Sequence, residues 1–212
     1  MRYKVAMYDW NGSVANDPRV CHECVLAIFR EFGPELPLPS FEAWRSGHGN
    51  TNFLEFYYER GIPRSVTIHM MRGVWAPHYE TRMSTKTSII RGGVRDLLIL
   101  CRGHEMSNVI VSSSIDNVER HLRDAKVRRL FDDVMVGVPS KPAAFAEVMQ
   151  IHGVSPKECF YVDDTYDGIR QAKEAGITTF GLTTGCNDEA RIRAALPDYP
   201  VASFHEIIAI VR

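Results

Sequence analysis

The sequence predicts an α/β protein: a Rossmann-like parallel sheet core with helices on both faces, plus a small all-helical unit. Three observations carry this. Near the start, residues 3–8 (YKVAMY) mix β-branched, aromatic and aliphatic side chains in a short run, as a strand buried on both faces does. From residue 89 onward strands and helices alternate, and helices of about ten residues between strands imply right-handed crossovers and a parallel sheet. Residues 15–88 break this rhythm, with helical stretches separated by Pro and Gly and no convincing strand.

In order, the alternating part reads GGVRDLLILCRG as a helix, MSNVIV as a strand, DNVERHLRDA as a helix and DDVMVGV as a strand. KPAAFAEVMQIHG then reads as a helix, CFYVDD as a strand, and YDGIRQAKEAG as a helix stopped by Gly176. TTFGL is a strand, and DEARIRAAL and FHEIIAIV close the chain as helices. The helical block has candidate helices at 18–32, 40–46, 51–60 and 65–80. An insert placed after the first strand of such a sheet sits over the carboxyl ends of the strands, so 15–88 is expected to be a cap on a core formed by 1–14 and 89–212.

Bulk composition narrows the partners. The chain has 212 residues, 45% hydrophobic and 24% charged, with a net charge of −1. Such a balance offers no overall field for nucleic acid or anionic lipid, so an anionic ligand must be held locally. No apolar run approaches a membrane span, and the start lacks a signal-peptide stretch; a soluble, cytoplasmic protein is expected. The five cysteines are expected to be reduced thiols. Cys21 and Cys24, with His22 between them, have C-x-x-C spacing, but no second pair follows and the stretch has helical periodicity, so helix packing is preferred to zinc.

Polar residues collect at four strand ends: Asp9, Ser112 to Ser114, Lys141, and Asp163 with Asp164. In a parallel sheet these fall on one edge, where open α/β sheets place their ligands. Adjacent carboxylates repel unless a cation joins them, and hard oxygen ligands suit Mg²⁺. A lysine and a serine alongside are suitable partners for a phosphoryl group. Each residue also has a plainer reading. The serines or Asp116 could cap the next helix, Lys141-Pro142 could start one, and Asp163 and Asp164 could cap the helix holding Ile169.

Taken together, DWNGSV, VIVSSS, the lysine of PSKPAAF and VDDTYDGIRQAKEAG, in this order and β/α context, resemble the four motifs of the haloacid dehalogenase-like hydrolase superfamily. The resemblance runs through the whole chain and points to the phosphatase and phosphomutase branch with a helical cap. It implies that Asp9 is a nucleophile forming an aspartyl-phosphate. It implies Mg²⁺ held by Asp9, the Asn11 backbone carbonyl and Asp164, with Asp163 as a further direct or water-mediated ligand. Ser112 and Lys141 would bind phosphoryl oxygens, with backbone amides near Gly12 and Ser113 as further donors. The implied substrate is a small phosphorylated metabolite, and the mobile cap suits a monomer or weak homodimer.

Asn11 departs from the family, whose residue two positions after the nucleophile is usually a second Asp that protonates the leaving group and then activates water. Asparagine cannot transfer a proton, and general acid/base help is worth about 10² to 10⁴ in rate. The dehalogenase branch lacks paired acids such as Asp163-Asp164, and the phosphonate-cleaving branch uses a cap lysine, whereas residues 15–85 contain no lysine. Three explanations for Asn11 stay open: an engineered substitution, a leaving group such as an acyl phosphate that departs without protonation, or a cap residue that donates the proton. In WRSGHGNTN, Arg45 and His48 are candidates for contact with substrate, with His78 and Tyr79 weaker. The alternative to an enzyme is a relative that binds metal and phosphate as a sensor.

Overall fold

The computed structural model describes residues 3–47 and 54–212. Six strands, β1 (Val5–Tyr8), β2 (Ser107–Val111), β3 (Asp133–Met135), β4 (Cys159–Asp163), β5 (Thr178–Leu182) and β6 (Tyr199–Val201), form one sheet in the order β3-β2-β1-β4-β5-β6. Every pairing is parallel. The order reverses between β1 and β4, the switch point where such sheets open a crevice at their carboxyl ends. Tyr8 is in register with Val162 on β4 and with Ile110 on β2, so Asp9, Asp163 and the start of the serine run leave the sheet side by side.

Side chains alternate across the sheet with the strand period of two. Val5, Met7, Val109, Val111 and Tyr161 face α7 (Lys141–His152) and α8 (Tyr166–Glu174), packing on Phe145, Val148 and Ala172. Ala6, Tyr8, Ile110, Phe160 and Val162 face the other way, towards Leu97 and Leu98 of α5 (Val94–Gly103) and Phe204 and Ile207 of α10 (Phe204–Val211). The remaining core helices are α6 (Val118–Asp124) and α9 (Glu189–Ala194).

Between β1 and α5 lie α1 (Pro18–Phe32), α2 (Phe41–Gly47), α3 (Glu55–Tyr58) and α4 (Ile68–Ser84), with no strand among the described residues. The chain leaves and re-enters the sheet at one place. Ala15 and Ile90 form an isolated antiparallel bridge, flanked by Asn16 N–H to Ile89 O at 2.8 Å and Arg91 N–H to Val14 O at 3.0 Å.

Two elements differ from expectation. The strand β6 (YPV) is absent from the sequence reading; its Pro200 is tolerated because β6 is an edge strand paired only to β5, where a missing N–H costs no ladder bond. Helix α4 runs through Pro77 to Ser84, past the expected end at 80, with Met71, Tyr79 and Met83 buried along it. Packing outweighs the lost backbone bond there. Among the described residues no helix is long and apolar enough to cross a membrane.

Candidate active site

The site begins where β1 ends. Asp9 N–H donates to Val162 O at 2.9 Å, and the chain then bends through a single tight turn over Trp10–Val14. Gly12 makes that bend possible: its φ is +70°, and a Cβ there would run into the Asp164 carboxylate. The turn thereby brings Ser13 under Asp164, whose Oδ1 accepts the Ser13 hydroxyl at 2.8 Å while Oδ2 accepts Cys186 N–H at 2.5 Å. Lys141 reaches in from the first turn of α7 and donates to Asp9 Oδ1 at 3.0 Å and Asp163 Oδ2 at 2.7 Å. Carboxylate oxygens of Asp9, Asp163 and Asp164 lie within 4.8 Å of one another.

The plainer capping readings fail for particular reasons. Thr165, not an aspartate, caps α8, accepting Gly168 N–H at 3.2 Å, and Asn117 caps α6, accepting Arg120 N–H at 3.2 Å. Asp163 instead supports that cap, its Oδ1 accepting the Thr165 N–H and hydroxyl, both at 2.7 Å. Its approach to α8 is so close that any side chain at Gly168 would overlap its carboxylate. Lys141 satisfies both readings at once, since it is the first residue of α7, followed by Pro142.

Three buried carboxylates face one ammonium, and the imbalance shows in their proton affinity. Burial raises Asp9 to about 6, with Lys141 pulling down and Asp163 pushing up. Burial likewise raises Asp164 to about 7, with Asp163 and Asp9 adding to it. For Lys141, burial favours the neutral amine, but Asp163 and Asp9 outweigh it and the ammonium is held above its ordinary range.

Beside this floor lies a second network. Asn11 Nδ2 sits within donating distance of Asp17 Oδ2 (2.8 Å), Tyr79 Oη (3.1 Å) and Asp116 Oδ2 (3.2 Å). Tyr79 gives its own proton to Asp17 Oδ2 at 2.6 Å and accepts from Trp10 Nε1 at 3.2 Å. Asp116 also accepts from the Ser114 hydroxyl at 2.6 Å and, on Oδ1, from Trp75 Nε1 at 3.3 Å. The acceptors around Asn11 dictate which way its amide points. Burial raises the Asp116 carboxyl, with the Ser114 and Asn11 hydrogen bonds opposing.

Between floor and helical block is a cavity of about 640 Å³. Asp9, Asn11, Ser112, Ser113 and Lys141 line it. Its far wall is one face of α4, where Ile68, Met71, Arg72 and Trp75 recur at helical spacing.

Two expected contacts fall elsewhere. The Gly12 amide is committed to Asp17 Oδ1 at 2.6 Å, so it does not serve a phosphoryl group in this arrangement. Arg45 does not line the cavity. Its guanidinium donates to the carbonyls of Thr183 (3.1 Å), Gly185 (3.0 Å) and Asn187 (2.9 Å), which holds the loop that presents Cys186 N–H to Asp164. His48 lies outside the described residues. His22 bonds to Pro39 O at 3.0 Å, and Cys21 and Cys24 are buried and free, so this pair joins no metal cluster among the described residues. Sequence reasoning misses Asp17 and Trp75 and takes Asp116 for a cap. The available signal is the spacing of Ile68, Met71, Trp75 and Tyr79 on one helical face, with two acids unclaimed by nearby bases.

A profile of the family described as haloacid dehalogenase-like hydrolase matches residues 6–182. A phosphoglycolate phosphatase of Synechococcus elongatus is 30% identical over 122 residues, which cover 56% of this chain and 58% of that protein. One from Pseudomonas putida is 28% identical over 131 residues, covering 59% and 48%. The matches thus span roughly half the length of these relatives. The fold of CbbY from Rhodobacter sphaeroides, solved in complex with phosphate, superposes with a TM-score of 0.75 at 19% identity over 97% of this chain and 96% of that one. With a parallel sheet of matching fold, and the family's pattern extending from β1 to the end of β5, the chain belongs to the haloacid dehalogenase-like hydrolases.

Proposed function

We propose that the protein is a Mg²⁺-dependent phosphatase of a small phosphorylated metabolite, working through an aspartyl-phosphate on Asp9. The observation that carries this reading is Lys141 bridging Asp9 and Asp163, with Asp164 beside them, on the floor of a cavity large enough for an organic substrate. The names of the aligned relatives support a phosphatase over a sensor.

The donor set fits a divalent cation: three buried carboxylates carry more negative charge than Lys141 neutralises, and their oxygens are hard ligands. Asp9 and Asp164 would hold the ion, with the Asn11 carbonyl adding a ligand and Asp163 adding a further direct or water-mediated one while it places Lys141. When bound, Mg²⁺ would supply positive charge to the phosphoryl oxygens.

In the proposed first step an oxygen of Asp9 attacks phosphorus, the bond from phosphorus to the substrate's alcohol oxygen breaks, and the alkoxide leaves with the electron pair. Lys141 and the Ser112 hydroxyl hold the phosphoryl oxygens while charge shifts across them. Water then cleaves the aspartyl-phosphate and restores Asp9. Asn11 offers no proton, so leaving groups that are stable as anions are favoured. Residues 15–88 act as the cap over a core of 1–14 and 89–212, pivoting at the Ala15 to Ile90 bridge. The molecule works as a monomer or weak homodimer, without nucleic acid.

The test is phosphate release from an acyl phosphate and an alkyl phosphate, with Mg²⁺ or with EDTA, against Asp9→Ala as blank. Turnover of the acyl phosphate above the blank, abolished by EDTA and exceeding that of the alkyl ester, is expected. No release from either substrate would overturn the reading.

A further inference from the structure

The wall of the cavity that carries Asp116 is acidic and apolar, which suits a particular substrate. Asp116 is 7% exposed and lines the cavity, and it forms no ion pair among the described residues. Its three hydrogen bonds come from neutral groups: the Asn11 amide, the Ser114 hydroxyl and the Trp75 indole. A carboxylate accepts about four hydrogen bonds, so one direction stays open. Asp17, fully buried, accepts from the same Asn11 amide and adds to the local negative charge. The cation on this wall, Arg72, is exposed, where water screens it. Met71, Trp75 and Ile115 add apolar surface to the cavity.

A buried carboxylate with no countercharge is costly unless a cation meets it. A substrate carrying a carboxylate would bring a second anion against Asp116, whereas an ammonium group would supply the missing charge and a hydrogen bond. We propose that Asp116 is a specificity-determining residue and that the substrate is a phosphate ester of an amine-bearing phenol or similarly acidic hydroxyl: an apolar body with an ammonium group directed at Asp116. This rests on the phosphatase reading above and sets the chain apart from the glycolate ester named for its aligned relatives.

The test uses the full chain with Mg²⁺ and three aryl phosphates of matched shape: tyramine phosphate (ammonium tail), para-ethylphenyl phosphate (neutral) and the phosphate ester of para-hydroxyphenylpropionic acid (carboxylate). Their phenolic leaving groups are similar and place little demand on an acid. The expected kcat/KM falls by about tenfold from ammonium to neutral and again to carboxylate, as charge-assisted hydrogen bonds require. Asp116→Asn should bring the ammonium-to-carboxylate ratio towards one, whatever it does to absolute rates. Raised salt should shrink the same ratio in the unaltered protein, so the proposal stays testable if the variant does not fold. Equal rates, a preference for the carboxylate ester, or a ratio untouched by Asp116→Asn and by salt would overturn it. Failure to cleave even the neutral ester above the Asp9→Ala blank would instead sink the phosphatase reading. Titration calorimetry with the same three esters then decides the proposal, with the same order of affinity expected and any other order overturning it.

Discussion

The floor of the cavity and its side wall are both built from buried acids, yet they handle charge in opposite ways. On the floor, Asp9 and Asp163 share the Lys141 ammonium at 3.0 and 2.7 Å. On the wall, Asp17 and Asp116 share only the neutral amide of Asn11, at 2.8 and 3.2 Å. The floor comes from strand ends of the sheet, so its geometry follows from strand register. The wall comes from three separate segments: the turn after β1, α4, and the loop after β2. The lesson is that a floor set by the sheet can carry common chemistry while a wall assembled across elements sets what is admitted.

The largest expected effect breaks the floor's chemistry. Asp9→Ala should remove turnover of an acyl phosphate altogether, because Asp9 is the cavity-lining carboxylate that Lys141 holds. Retained turnover would move the nucleophile elsewhere. Next, Lys141→Met should lower folding stability by about 3 to 5 kcal/mol in EDTA, as breaking a buried pair does, and Mg²⁺ should recover part of it. Urea denaturation with and without Mg²⁺ measures both. A loss below about 1 kcal/mol would mean that the floor tolerates its charge without Lys141, and that it differs little from the wall.

The pH dependence of the metal-free protein probes the same imbalance. Asp9 and Asp164 keep their protons in the fold up to about 6 and about 7, while their unfolded counterparts titrate near the ordinary 3.8. A raised carboxyl favours folding fully below the unfolded value, and that contribution is lost as pH rises through the folded value. Stability in EDTA should therefore fall from pH 5 to pH 8, by about 2 kcal/mol or more, since binding a proton tenfold more tightly in the fold is worth about 1.4 kcal/mol. Asp116, also raised by burial, has the same sign. Glu158, held down to about 2 chiefly by Lys4, is ionised in both states across this window and does not oppose the trend. Mg²⁺ should flatten the slope, and a slope of opposite sign would remove the charge imbalance from the account of the floor.

Much of the floor is legible in sequence because each residue follows a strand: Asp9 after YKVAMY, Ser112 after VIV, Asp163 and Asp164 after CFYV. Parallel pairing then brings together residues more than a hundred positions apart without any knowledge of loops. The wall is not legible because its contacts depend on helix orientation. Asp116 reads as a helix cap until Asn117 is seen to do that work, and Asp17 is passed over until its carboxylate is found on Gly12, Asn11 and Tyr79. Arg45 reads as a substrate contact because a cation near a Gly-rich stretch suggests an anion. Three backbone carbonyls at the end of the β5 loop claim it instead, a kind of partner that no residue pattern announces. The same holds for β6, whose edge position makes Pro200 acceptable only once the sheet order is known.

Asn11→Asp tests whether the wall can accept the family's usual acid. It would set a third carboxylate against Asp17 and Asp116, replacing a donor to both by a repelling acceptor. Loss of about 1 to 3 kcal/mol is expected at pH 8, shrinking at pH 5 as the shared site takes up a proton. Asp116→Asn in the same chain should return part of the loss, and a double-mutant cycle would give the coupling. If Asn11→Asp is neutral at both pH values, the wall relaxes freely and its amide bridge is incidental.

The smallest effect sharpens the comparison at one hydrogen bond. Trp75→Phe keeps an aromatic ring on the α4 face and deletes the indole N–H that reaches Asp116 Oδ1 at 3.3 Å. The bond is long and Trp75 is only partly buried, so water can take its place. A stability change of about 0.5 kcal/mol is expected, at the low end for a hydrogen bond, and is best read as a shift in urea midpoint at constant slope. A loss several times larger would show that Asp116 depends on that single donor for its position. The wall would then be as tightly specified as the floor, where one lysine holds two acids.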